Sequence, residues 1–179
     1  MDPTAARAIA TQAHSGQTDK AGQPYIEHPE RVAARLTDPD AQVVALLHDV
    51  IEDTELTADD LRAAGASELQ VQALEALAHA DDVSDEDYWR ALRAVPLARL
   101  VKVADLADNT DPARIALLEP AQQEHFRTKY RSAMAVIGWD ETPDGELVRP
   151  GAWAEMERIL RPSEPTLGAD TFGDRPVTG

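Results

Sequence analysis

The sequence contains no cysteine among its 179 residues. That excludes disulfides, thiolate metal ligands and a cysteine nucleophile, so any bound metal must be held by histidine and carboxylates. Long apolar runs are also missing. The longest, at residues 43–47, falls far short of the roughly 20 residues a membrane span needs. The N-terminal Met-Asp-Pro-Thr lacks the basic start and apolar stretch of a secretion signal, so the default location is the cytoplasm. Positive charge is scarce. Seventeen Lys and Arg face 33 Asp and Glu, a formal net charge of −16. Such a surface repels a nucleic-acid backbone, and neither a nucleic-acid nor a membrane partner is expected. A phosphorylated small molecule is not excluded, because a metal ion and a few local cations can dominate inside a cleft.

What is present is helix-forming sequence, rich in Ala, Leu, Arg and Glu, and the expected fold class is all-α, a single helical bundle. There is no internal repeat, no heptad run and no alternation of period two. A first amphipathic helix is expected over residues 3–14. A loop with Gly16, Gly22 and Pro24 follows over 15–27. His28-Pro29 opens a second helix to about Leu36. Asp38 caps a third, over 39–53, whose apolar run at 43–47 marks it as central and buried. Thr57 with Asp60, and Ser67 with Gln70, form two capping boxes, opening helices that stop near Gly65 and His79. The acidic stretch 81–87 is a solvated loop and helix start. Helices over 88–95 and 96–108 are separated by Pro96, and further helices are expected over 120–139 and 151–160. Pro143-Asp144-Gly145 is a turn signal for a short hairpin around 142–149. Residues 1–160 are read as one domain and 161–179 as a disordered tail.

The strongest local signal is Leu46-Leu47-His48-Asp49-Val50-Ile51-Glu52-Asp53-Thr54. Polar groups interrupt a helix that would otherwise be core, and burying them together costs several kcal/mol per unpaired charge unless a cation compensates. His48 and Asp49 are vicinal and can chelate one ion from the same turn. On a continuous helix Glu52 and Asp53 stand one turn further on, at the mouth of the site. His28 begins the preceding helix. Asp105 interrupts a second apolar helix, Val101-Lys102-Val103-Ala104-Asp105-Leu106-Ala107-Asp108-Asn109. His28, His48, Asp49 and Asp105 make a mixed nitrogen and oxygen set suited to Mn, Fe, Zn or Mg. Asp105 has a competing assignment as the ion-pair partner of Lys102, three residues earlier.

These segments resemble the HD-domain hydrolases of the RelA/SpoT class, including the stand-alone small alarmone hydrolases. The resemblance spans about residues 5–112. It rests on the two stretches just quoted together with Ala13-His14-Ser15-Gly16-Gln17 and Gly22-Gln23-Pro24-Tyr25-Ile26-Glu27-His28-Pro29. It implies an all-α fold and a metal, usually manganese, on His28, His48, Asp49 and Asp105. It also implies that Glu52 and Asp53 assist attack by water and that Asn109 lies near a bound nucleotide. The implied reaction removes pyrophosphate from the 3′ position of guanosine tetra- or pentaphosphate. No synthetase domain follows within this sequence, so synthesis of such nucleotides is not expected.

Two departures leave the substrate open. Asp19-Lys20 stands where the family has Arg-Lys, and Leu106-Ala107-Asp108-Asn109 where it has Arg-Leu-His-Asn. The alternatives are a phosphohydrolase acting on another nucleotide or phosphorylated metabolite, and a metal-dependent nucleotide-binding module without turnover. Glu52 is the expected group to orient or deprotonate water, with Asp53 as its relay partner. Lys20, and less so Arg31, would offset phosphate charge. Tyr25 either lines the nucleotide pocket or packs the loop onto the helices. His14 is assigned to packing, His79 and His125 to exposed or structural positions, and Trp89, Trp139 and Trp153 to helix packing. Oligomeric state is left open.

Overall fold

The computed structural model describes residues 1–79, 82–120, 122–124, 137, 140–141 and 147–148. Nine helices follow one another among the described residues: α1 (Pro3–Ala13), α2 (Glu27–Ala34), α3 (Pro39–Leu47), α4 (Val50–Asp53), α5 (Ala58–Ala63), α6 (Glu68–Leu77), α7 (Asp85–Ala94), α8 (Pro96–Asn109) and α9 (Pro112–Ile115). Two-residue strands, β1 (Asp140–Glu141) and β2 (Leu147–Val148), pair antiparallel with Asp140 opposite Val148. The fold class is all-α. No described helix is long and apolar enough to cross a membrane. Of the helix expected over 120–139, only residues 120, 122–124 and 137 are described, and all are helical. His125, Trp139, Trp153, the expected helix 151–160 and the expected tail 161–179 lie outside the described residues.

Local chemistry sets most of the helix starts. Asp2 accepts a hydrogen bond from Ala5 N and Asp38 from Ala41 N, each followed by a proline whose missing N–H costs nothing at a first helical position. Both capping boxes form, at Thr57–Asp60 and Ser67–Gln70. α3 is buried on nearly every side and packs against α1, α2, α6 and α8, while α8 in turn meets α2, α6 and α7. Leu47, Leu61, Leu74, Leu92 and Leu106 fill the space between these helices. The site is therefore mounted where α2, the end of the enclosed α3 and α8 meet.

One expectation fails. Residues 39–53 are not a single helix: α3 ends at Leu47 and α4 begins at Val50. Asp49, at φ −99° and ψ −4°, flattens the chain between them. Its carboxylate does not cap α4, because Tyr25 and His48 engage it instead. Glu52 and Asp53 thus sit on a separate turn, not on the continuation of the α3 face.

Gln70 does more than close its capping box. It is 1% exposed. Its Nε2 donates to Asp40 Oδ1 at 2.7 Å and Met1 O at 3.0 Å, and its Oε1 accepts from Ser67 N at 3.0 Å and from the Met1 ammonium at 3.2 Å. Gln70→Ala removes these four hydrogen bonds from a buried position and leaves half-buried Asp40 and Met1 without them, at an expected cost of about 1–3 kcal/mol, read as a lower urea midpoint at unchanged slope. An unchanged midpoint would remove Gln70 from this role.

Candidate metal centre

The His28 ring enters from the start of α2, His48 and Asp49 from the junction after α3, and Asp105 from the middle of α8. The side chains converge. His28 Nε2 is 3.2 Å from Asp105 Oδ1 and 4.0 Å from Asp49 Oδ2. His48 Nε2 is 3.0 Å from Asp49 Oδ2 and 3.8 Å from Asp105 Oδ1. Ligand atoms of His28, His48 and Asp49 all lie within 4.8 Å of one another. Two donors each about 2.1 Å from one ion lie roughly 3–4 Å apart, so these separations suit a shared cation.

The orientation of His48 is the more telling test. Its Nδ1 donates to Ala45 O at 2.7 Å, so whenever the ring is neutral its lone pair lies on Nε2. That Nε2 is buried and has no aligned hydrogen-bond partner, despite its nearness to Asp49. A buried acceptor left unmatched is costly in a core this enclosed, and a cation in the gap would satisfy it. The four residues fit a divalent metal.

Electrostatics describe the same cluster. Burial pulls His48 down, but the Asp49 and Asp105 charges outweigh it and hold the imidazole well above its ordinary range. His28 is raised too, burial being outweighed by Asp105 and Asp108. Burial opposes ionisation of Asp49, yet His48 brings it down to about 2. Asp105 is held well below the usual carboxylate range, since Lys102, His28 and His48 together overcome its burial. The two carboxylates are thus ionised acceptors for positive charge, and binding of a metal would displace protons from the imidazoles.

Asp105 serves both assignments at once. Oδ1 faces the two histidines and accepts from Asn109 Nδ2 at 2.6 Å, while Oδ2 pairs with Lys102 Nζ at 3.0 Å. Asn109 accordingly sits one turn along α8, at the edge of the cluster. Tyr25 donates a short hydrogen bond to Asp49 and lies 3.4 Å from Asp53 Oδ2, so it both lines the cleft and orients a cluster carboxylate. Glu52 is exposed at the cleft wall, where it accepts from His79 N at 3.0 Å. Asp53 is held above its ordinary value by burial and by its acidic neighbours Asp49 and Glu52.

The cluster forms the floor of a cleft of about 1060 Å³, at the upper end of the roughly 300–1,000 Å³ usual for ligand pockets. Lys20, Arg31, Lys102 and Arg114 line it together with Asp19, Glu27, Glu52, Asp53 and Asp85 and the cluster carboxylates, so the wall is of mixed charge, with its cations set close to the cluster. Arg31 is not merely solvated, because its Nε donates to Asp108 Oδ1 at 3.1 Å. Arg114 faces Asp19 at 3.3 Å, and Asp19 Oδ1 accepts from Ala21 N and Gln23 N, which shapes the loop around Gly22 at φ +80°. His79 lies against the Tyr88 ring with centroids 4.4 Å apart, and Trp89 packs on the same tyrosine. His14 is buried against Tyr25, with Nδ1 at 2.8 Å from Gln17 Oε1.

Residue-pattern reasoning missed Asp108 and Arg114. Asp108 sits a turn after Asp105, but its partners come from α2 and α9. Nothing local announces them.

No family model matches the chain. It is 49% identical over 57 residues to the bifunctional (p)ppGpp synthase/hydrolase SpoT of Escherichia coli (strain K12), an alignment covering 30% of this chain and 8% of that protein. It is 36% identical over 130 residues to the guanosine-3′,5′-bis(diphosphate) 3′-pyrophosphohydrolase of Vibrio cholerae, covering 66% of this chain and 18% of the relative. The chain thus spans less than a fifth of the length of either relative. Among solved structures, a metazoan SpoT ortholog described as hydrolysing ppGpp superposes with a TM-score of 0.64 at 18% identity, over 89% of this chain and 93% of that one. Its likeness is one of fold. Taken with the converging His28, His48, Asp49 and Asp105, these likenesses in sequence and fold support an HD-domain, RelA/SpoT hydrolase-like protein.

Proposed function

We propose that this chain is a metal-dependent phosphohydrolase that removes pyrophosphate from the 3′ position of a guanosine 3′,5′-polyphosphate. The observation that supports it most is the unmatched Nε2 of His48, aimed at His28, Asp49 and Asp105 beneath a cleft whose wall carries Lys20, Arg31 and Arg114. The names of the relatives supply the substrate class. Manganese is the preferred ion, and the proposed location is the cytoplasm. The activity is assigned to residues 1–160, with 161–179 as a tail.

A divalent ion on these four residues supplies a more acidic water and charge stabilisation at phosphorus. The chain supplies the rest. Glu52, at the cleft wall, orients the attacking water and accepts its proton, and Asp53 passes the proton on. A new oxygen–phosphorus bond forms as the bond from phosphorus to the ribose 3′ oxygen breaks, and that oxygen takes up a proton. Lys20, Arg31 and Arg114 offset phosphate charge at the rim. Asn109 holds Asp105 and borders the nucleotide.

Asp19 at the loop keeps a second substrate in view, another nucleotide or phosphorylated metabolite. The purified chain, stripped with chelator and reloaded with Mn²⁺, is expected to release pyrophosphate from guanosine 3′,5′-bis(diphosphate) and to lose that activity on renewed chelation. Orthophosphate or pyrophosphate release from a different member of a nucleotide panel would replace the substrate. Tight nucleotide binding with no release from any member would replace the enzyme by a binding module.

A further inference from the structure

We propose that Asp108 is the positioning residue for His28, fixing the ring and its tautomer so that Nε2 presents a lone pair to the metal cluster. The inference rests on the metal reading above. Asp108 is 0% exposed, and its Oδ2 lies 2.8 Å from His28 Nδ1, across 80 residues of sequence. An ionised carboxylate can only accept, so at this contact, closer than the 3.3 Å approach of Arg114 Nη1 to the same nitrogen, Nδ1 holds the proton, and in the neutral ring the lone pair falls on Nε2, the nitrogen turned to Asp105 and Asp49.

Three guanidinium groups enclose the same carboxylate. Arg31 Nε donates to Oδ1 at 3.1 Å, Arg35 Nη2 approaches Oδ1 at 3.5 Å, and Arg114 Nη1 donates to Oδ2. A carboxylate enclosed by that much positive charge accepts the imidazole proton and does not take it over. It orients the ring without competing for it.

α8 then contributes twice to one site. Asp105 faces the cluster directly, and Asp108, three residues later, braces His28 from behind. The Ala45 carbonyl plays the matching part for His48. The two histidines are aimed by different devices, a backbone oxygen that no substitution removes and a side chain that one does. Supporting partners of metal-bound histidines typically contribute about 10- to 100-fold in affinity.

The test uses the full chain and Zn²⁺ alone. Zinc affinity is measured by chelator competition for wild type, Asp108→Ala, Asp108→Asn and Arg90→Gln. Asp108→Ala is expected to bind about 10- to 100-fold more weakly. Asp108→Asn, whose amide oxygen can accept the same proton, should recover most of that loss. Arg90→Gln trims an exposed ion pair with Glu86 and Asp87 on α7, away from the cleft, and should leave affinity unchanged. Nitrogen chemical shifts of the His28 ring in the zinc-loaded wild type should report a protonated Nδ1, a readout that needs no variant to fold. Wild-type affinity in Asp108→Ala, or His28 protonated on Nε2, would overturn the role of Asp108 alone. Absence of zinc uptake by the wild type would overturn the metal reading, and this inference with it.

Discussion

His48→Ala is expected to lose more than about 100-fold in metal affinity, beyond what removal of a supporting partner costs, and to lose turnover with it. The fold should survive. His48 makes one hydrogen bond within the protein, from Nδ1 to Ala45 O, and its Nε2 makes none. Removing the ring therefore forfeits about 1 kcal/mol of hydrogen bonding, a modest packing loss and the charge contacts to Asp49 and Asp105, of which Asp49 keeps Tyr25 and Asp105 keeps Lys102. Leu47→Ala, one residue earlier, provides the contrast. Leu47 is fully buried in the core, so that variant should lose about 2–5 kcal/mol of stability while metal affinity holds. The pair separates a group kept for its ligand from a group kept for packing. Manganese titration and urea unfolding of both variants check it. Wild-type metal uptake by His48→Ala would remove the cluster as a metal centre.

The same contrast explains how much could be read from sequence. The capping boxes at Thr57 and Ser67 form as expected because both partners lie within one helical turn. The enclosure of α3 follows from its apolar run. His28 could be singled out because it opens the helix just before the central one, and Asp105 because it interrupts an apolar helix; the structure brings both to the His48–Asp49 pair. The break between α3 and α4 had no local signal. It comes from Asp49 engaging Tyr25 and His48, contacts that exist only once the loop before α2 has folded over the site. Asp108 reads as one more acidic residue until Arg31, Arg35 and Arg114 arrive around it from two other helices. Asp19 looked like a lost cation. In the fold it meets Arg114 from α9, a four-residue helix too short to be foreseen, so positive charge reaches the cleft from the opposite side.

Glu52→Gln should leave the metal centre intact and slow turnover by about 10²- to 10⁴-fold, the usual contribution of a positioned general base. The structure makes this a clean substitution. Glu52 is exposed, lies outside the group of closely spaced ligand atoms, and accepts a hydrogen bond from the backbone N–H of His79. A glutamine oxygen can accept that same N–H, so the α4 turn keeps its tie to the end of α6. Stability should stay within about 0.5 kcal/mol, as for most surface changes. What glutamine cannot do is accept a proton from water. The loss should therefore fall on kcat at saturating Mn²⁺, with KM and metal affinity near wild type. Asp53→Asn tests the relay separately. Asp53 sits between Glu52 and Tyr25 and holds its proton more tightly than an ordinary carboxyl, so its loss should slow turnover less than that of Glu52. Full turnover by Glu52→Gln would pass the base to Asp53, and full turnover by both would leave the carboxylates of α4 no part in the chemistry.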